Sequence, residues 1–444
     1  MTGGRRITCC YVEEYLSHSS IHGLSHLAAK SVYEKTLWSF LFATALSGVI
    51  VITYATLNKY TENPTVITVE KDHYFWNTSF PSATVCPVSK INSALLENYV
   101  ASSTATNKTL LKEFMASLAY ANLGNLDKIP SYDEIPGEVY MQLVLDLQND
   151  FTPVISSSGL GDDRIAVHRV ITEMGVCYTF NSKLAVYSSP QYWDQDLWEI
   201  VQDHVETLNV SAFDEEVFVS VENVSSAYDV YIHGPYEVAD ISSKYIRSPN
   251  GYFLQLYLSG LTLFSSDSIK SLGVQQRKCR FYYESDLRHS PVYSYVLCRM
   301  DCRANLAIKL CGCVPHFYRK LDGEKVCNVD GLHCLAKHKD RLTLLKSECS
   351  CLANCDEVNY VVEDTDGREW FLGSNLQWGL KYYPKMRLRR DVIFGFSDLL
   401  VYIGGMAGLF LGCSVLSFIE IIYFFTLRLY WFVVKYEKPK ASRN

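Results

Sequence analysis

The 444-residue chain has no basic block and no RNA- or DNA-reading motif, which excludes nucleic acid as a partner. It has no Gly-rich phosphate loop, and the acids and histidines of its middle show no catalytic spacing. His73, His168, His204 and His233 stand scattered along it. No enzyme activity and no cofactor is expected. Its 15 cysteines include no paired C-x-x-C knuckles, so no zinc or other metal centre is expected either. No repeat period or low-complexity linker is visible. Two stretches lack charge almost entirely, and they organise the rest.

Residues 392–427, VIFGFSDLLVYIGGMAGLFLGCSVLSFIEIIYFFTL, carry Asp398 and Glu420 as the only expected charges in 36 positions. As one straight helix the run would be about 54 Å long, against the roughly 30 Å of a bilayer's hydrocarbon core. It must tilt, break or project. Gly404, Gly405, Gly408 and Gly412 favour a break, and Gly412-Cys413-Ser414 offers small residues where backbones approach closely. Irregular backbone at membrane depth is tolerated where it is buried in protein or lines a water-filled cavity. Carbonyls of such a break, repeated around an axis, make an ion filter. Small residues at this spacing serve helix packing equally well, so the run alone leaves pore and packing face open. Residues 37–57 form the second run, 21 positions without a charge and the length of a membrane helix. It starts too far in, and lacks a small-residue site behind it, for a removable signal peptide.

Two spans place both tails, 1–36 and 428–444, on one side. The second tail has five basic residues against one acid, and Lys30 and Lys35 precede the first span, which points both tails to the cytosol. Residues 58–391 then face outside. Twelve cysteines fall there, with Cys9 and Cys10 in the first tail and Cys413 in the second span, as an oxidising outer compartment predicts. Four glycosylation triplets, at Asn77, Asn107, Asn209 and Asn223, fall there too. Between the tails the chain carries 32 basic and 44 acidic residues, an excess that raises the local cation concentration.

Val66 to Val69 reads as a strand and FPSATVC (80–86) as another. Helical spacing follows over 91–128, then a Pro- and Gly-marked loop region with short helical pieces over 129–170. Strands return at GVCYTFN (175–181), EVFVSVENV (216–224), DVYIHGPYEV (229–238) and GYFLQLYLSGLTLF (251–264). Residues 279–355 hold ten of the twelve outer cysteines. There SYVLCRMDCRANLAIKLCG reads as a helix with Cys298 and Cys302 on one face, and SECSCLANC is available to pair with that face. The residues themselves leave the pairing open. The reading is an α+β membrane protein with two transmembrane helices and a large, disulfide-rich, β-containing extracellular domain.

His22-Gly23 before the first span, FPSATVC, GVCYTFN, QQRKC (275–279), the ten-cysteine block with KLCGCVPHFY and CSCLANC, and GGMAGLFLGCSVLSFIE across the second span belong together. In combination they resemble the degenerin/epithelial sodium channel family, and are most similar to its insect pickpocket branch. The likeness runs from His22 to Glu420. It implies a homo- or heterotrimer of related subunits, a hand-like ectodomain and a pore lined by the second helices. It places Gly412, Cys413 and Ser414 on the segment that interrupts the pore helix and selects ions. It places His22 and Gly23 on a cytosolic pair that influences gating, and Glu420 on an inner carboxylate that attracts cations, with Gly404 and Gly405 alongside the pore. The implied bridges are Cys86–Cys177, Cys279–Cys355, Cys298–Cys351, Cys302–Cys349, Cys311–Cys334 and Cys313–Cys327, the last five stiffening a thumb. One departure stands out: Val401 occupies the family's degenerin site, where a small residue is usual, and Tyr402 follows where an aspartate often sits. A bulky residue there hinders closure in the family, which implies raised basal opening or a partner subunit that supplies the small residue.

The expected function is a subunit of a sodium-preferring, voltage-insensitive cation channel of the plasma membrane, gated by an extracellular stimulus in a sensory setting. Its partners would be related subunits, membrane lipid and an unidentified extracellular ligand, with Na+ permeant rather than resident. The alternatives are a non-conducting partner subunit and a two-span cysteine-rich receptor. A mere anchor needs about 20 residues and has no use for Gly-Gly, Gly-Cys-Ser and Glu420 in one overlong run.

Overall fold

The computed structural model describes residues 11–29, 31–158, 165–201, 207–214, 216–224, 226–345 and 348–437. Cys9, Cys10, Lys30, His204 and the tail beyond residue 437 lie outside the described residues. The chain forms two compact units, one from Met1–Val66, Ser268–Arg277 and Asp391–Asn444, the other from Ile67–Asp267 and Lys278–Arg390.

The larger unit is built on two sheets. In the seven-stranded sheet the strand Tyr252–Ser265 is central. Glu357–Glu369 runs antiparallel along one side of it, while Ser374–Leu380 and then Arg387–Val392 pair parallel on the other. Val217–Val224 and Val154–Ser158 extend the sheet beyond Ser374–Leu380, both antiparallel. The five-stranded sheet runs Ile246–Ser248, Tyr228–His233, Ser82–Pro87, Gly175–Phe180 and Val167–Thr172, antiparallel throughout. Alternation explains the pairing of faces: Val217, Val219 and Val221 are buried while the residues between them are not. With Val85, Phe180, Leu256 and Trp378 they form one core, and the Trp378 indole N–H donates to Pro81 O at 3.0 Å.

The helical part has its own core. Ser93–Ser102 and Lys108–Ala119 begin at Asn92 and Asn107, whose side chains accept helix N–H groups. Leu111, Phe114 and Leu118 pack with Tyr140, Ala304, Ala307, Leu332 and Leu335 into a second cluster. The long helix Tyr295–Cys311 starts at Ser294, which caps Leu297 N–H, and ends at Gly312 with φ +72°. Six disulfides join Cys86–Cys177, Cys279–Cys355, Cys298–Cys351, Cys302–Cys349, Cys311–Cys334 and Cys313–Cys327, the pairs named above. Cys86 and Cys177 face each other across adjacent strands with Cα atoms 4.4 Å apart, the spacing of a non-hydrogen-bonded antiparallel pair.

The structure departs from the sequence reading in four places. The strand expected over 229–238 ends at His233, because Gly234-Pro235 turns the chain and Pro235 has no N–H to donate. The region 129–170 holds two strands, Val154–Ser158 and Val167–Thr172, besides its short helices. The first apolar helix is longer than 37–57, running Val32–Glu62 with its charges near the ends. The helical structure of the second apolar run continues beyond residue 427.

Candidate ion pathway

Within the smaller unit, the helix Phe396–Leu411 starts where Gly395 N–H donates to Asp398 Oδ2 at 2.9 Å. One of the run's two charges is therefore an N-terminal cap. The helix stops at Gly412, whose φ of +64° suits a residue without Cβ. Gly412 N–H reaches Gly408 O at 2.9 Å and Cys413 N–H reaches Ala407 O at 3.2 Å. Ser414 is extended and starts the next helix, Val415–Tyr423. Its Oγ accepts from Ser417 N–H at 3.3 Å, and Ser417 Oγ accepts from Ser414 N–H at 3.2 Å. Glycine ends one helix and serine begins another within three residues. The chain then continues through a π-turn, Phe424–Arg428, into Leu429–Glu437.

A break at membrane depth exposes carbonyls whose neglect costs several kcal/mol each. One of them, Leu411 O, accepts from the backbone N–H of His22 at 3.1 Å. The His22 ring occupies the place a Cβ on Gly412 would need, so space and backbone angle both demand glycine there. Gly23, with φ +87°, turns the N-terminal segment at this point. Ser20 Oγ donates to Glu420 Oε2 at 2.6 Å and lies 3.0 Å from Ser417 Oγ. Further along, the Tyr11 hydroxyl donates to Phe424 O, the rings of Tyr11 and Tyr15 pack on Phe424, and Arg428 pairs with Glu14 at 2.6 Å. His26 stacks on Trp38 of the first helix at 4.2 Å, and Gly48 lets that helix approach the Phe410 ring.

The structure thus gathers His22, Gly23, Gly412, Cys413, Ser414 and Glu420 into one place. It does not bring Val401, Gly404 or Gly405 there. Val401 is 72% exposed, and a Cβ at either glycine would meet nothing within 4 Å. Ser20 and Ser417, the hydroxyls beside Glu420, were missed by sequence reasoning. A serine in the stretch SHSS carries no local signal for a contact 400 residues away. The asparagines of all four N-x-S/T triplets are exposed. Asn107 caps its helix through Oδ1, which leaves Nδ2 for a glycan.

Residues 15–424 match the family described as amiloride-sensitive sodium channel. The chain belongs to that family. Its members are ion channels, not enzymes. Among relatives, sodium channel protein Nach of Drosophila virilis is 31% identical over 184 residues, 37% of this chain and 47% of that one. Matches to three fruit-fly Nach proteins span between 34% and 47% of their lengths, so this chain aligns with less than half of each. Pickpocket protein 28 of Drosophila melanogaster is 22% identical over 94% of this chain and 78% of its own. The bile acid-sensitive ion channel of Mus musculus is 20% identical over 95% and 88%. For an amiloride-sensitive sodium channel family member, the paired caps at Gly412 and Ser414 explain why the break sits where it does. Three residues suffice to stop and restart a helix when the N-terminal segment supplies the missing donor.

Proposed function

We propose that the chain is a subunit of a sodium-preferring, voltage-insensitive cation channel of the plasma membrane, opened by an extracellular stimulus in a sensory setting. Three chains, identical or related, surround the pore, each with a hand-like ectodomain outside and both termini in the cytosol. Gly412, Cys413 and Ser414 form the narrow selecting segment, His22 and Gly23 bear on gating, and Glu420 draws cations to the inner end. The observation that carries this reading is the helix break at Gly412–Ser414 with His22 donating into it. Whole-cell current from the chain expressed alone, with external sodium exchanged for a large organic cation, tests it. The expected outcome is a sodium-dependent current whose selectivity changes in Ser414→Cys; unchanged selectivity would remove the filter assignment. Val401 favours a second reading, a partner subunit silent by itself. It predicts no current from surface trimers until a relative with glycine at the degenerin site is co-expressed.

A further inference from the structure

A cavity of about 250 Å³ opens in the helical part of the larger unit. Its apolar wall is Met141 and Leu145 from the helix Tyr140–Asp146, Ile171 from the strand Val167–Thr172, and Trp193 from the helix Pro190–Asp194. The Trp193 ring is held in place by its N–H, which donates to Tyr187 O at 2.7 Å. Among its polar lining residues, His316 and Arg319 are buried, 7% and 5% exposed.

Both are incompletely satisfied. Arg319 Nη2 donates to Leu197 O at 2.7 Å and to Asp196 at 3.1 Å, and the guanidinium lies 4.8 Å over Trp198. Its Nη1 is buried and finds no partner among the described residues. Nor does His316 Nδ1. Burial pushes the His316 imidazole down to about 4, so it is neutral at physiological pH and one ring nitrogen carries a proton. A buried donor without an acceptor is costly, and a charged one more so. The carboxylates that also line the cavity, Glu138 and Asp194, are exposed at its rim together with Lys320. The unpartnered Arg319 Nη1 therefore asks for an acceptor, and the rest of the wall asks for hydrocarbon or an aromatic ring.

We propose that this cavity binds a small apolar carboxylate, whose oxygen accepts from Arg319 Nη1 and the His316 ring while its body lies against Trp193, Met141 and Leu145. The inference concerns binding alone and holds whether or not the chain conducts.

Calorimetric titration of the purified full-length protein with phenylacetate tests it, with phenethylamine and 2-phenylethanol as cationic and neutral matches of the same shape. Phenylacetate is expected to bind saturably and at least about tenfold tighter than either match. Met141→Trp, which fills the cavity from its apolar wall, should abolish that binding. His316→Phe should weaken it by about tenfold while raising the unfolding temperature, because it removes an unpaired buried nitrogen. A merely structural histidine would move neither affinity nor charge preference. The proposal is overturned if phenylacetate does not bind, if the amine or the alcohol binds as tightly, or if Met141→Trp leaves the affinity intact.

Discussion

The helix Tyr295–Cys311 and the first half of the broken helix, Phe396–Leu411, end alike and are held differently. Each stops on a glycine in the left-handed region, Gly312 at φ +72° and Gly412 at φ +64°. The helix Tyr295–Cys311 is fixed covalently, through Cys298–Cys351, Cys302–Cys349 and Cys311–Cys334, and by a buried ionic cluster. The other has no covalent tie among the described residues; Cys413 beside it is unbridged, and its final carbonyl depends on one N–H from His22. One helix end is nailed down covalently, and the other is capped by groups that can leave.

The largest expected effect removes the nail that is not a disulfide. Arg303, fully buried, donates from Nη1 to Glu173 at 2.9 Å and to Asp240 at 3.0 Å, and from Nε to Leu342 O at 3.0 Å. The Tyr318 hydroxyl also donates to Glu173. Arg303→Met strands two buried carboxylates and is expected to cost about 3–5 kcal/mol, read as a large drop in unfolding temperature and loss of surface expression. If stability survives, the disulfides alone fix the helix Tyr295–Cys311.

A smaller effect is expected where the helix Tyr295–Cys311 begins. Glu237 accepts a hydrogen bond from Asn354, and burial pushes its carboxyl up to about 8 although that bond and nearby donors at Ser294 and Val296 pull the other way. Below about pH 4.5 the carboxyl is protonated in the folded and unfolded chain alike, and its full contribution to stability is present. As pH rises towards 8 the unfolded chain releases its proton first, so stability falls through that window. Glu237→Gln should flatten the fall, gaining on the order of 2 kcal/mol near neutral pH and little below pH 4.5. Parallel stability–pH curves for the two proteins would contradict it.

Much of this was open to a reader of the sequence, and the exceptions share a cause. Apolar runs, cysteine compartment and the Gly-Cys-Ser break are local signals. The bridges came through likeness to a family, since twelve cysteines by themselves leave the pairing open. The strand Glu357–Glu369 gave no signal because most of its second half is exposed, so side-chain alternation has nothing to report. It is a strand because its backbone pairs along Tyr252–Ser265. Val154–Ser158 alternates between exposed and half-buried positions, but three of its five residues are serines, so no apolar pattern marks it. Arg303, Glu173 and Asp240 meet from three separate segments, and Ser20 meets Ser417 and Glu420 of a single helix from far away in the chain. Contacts of that kind follow from the fold and leave no trace in spacing.

The smallest change in stability gives the sharpest contrast between the two helices. An alanine at Gly312 meets nothing within 4 Å, so Gly312→Ala is limited to the left-handed backbone penalty of about 1 kcal/mol. Gly412→Ala carries the same penalty of about 1 kcal/mol, and in addition its methyl occupies the His22 ring's place. His22 must then move, and with it the donor to Leu411 O and the neighbouring Ser20–Glu420 contact. Limited proteolysis of the N-terminal segment reads this without requiring current. Gly412→Ala should expose residues 11–29 to cleavage at a rate well above wild type, whereas Gly312→Ala should leave that rate unchanged and lower the unfolding temperature by a few degrees. Equal protection in both variants would mean that the segment is held by the Tyr11, Tyr15 and Arg428 contacts alone, and that His22 is a neighbour of the break without being its support.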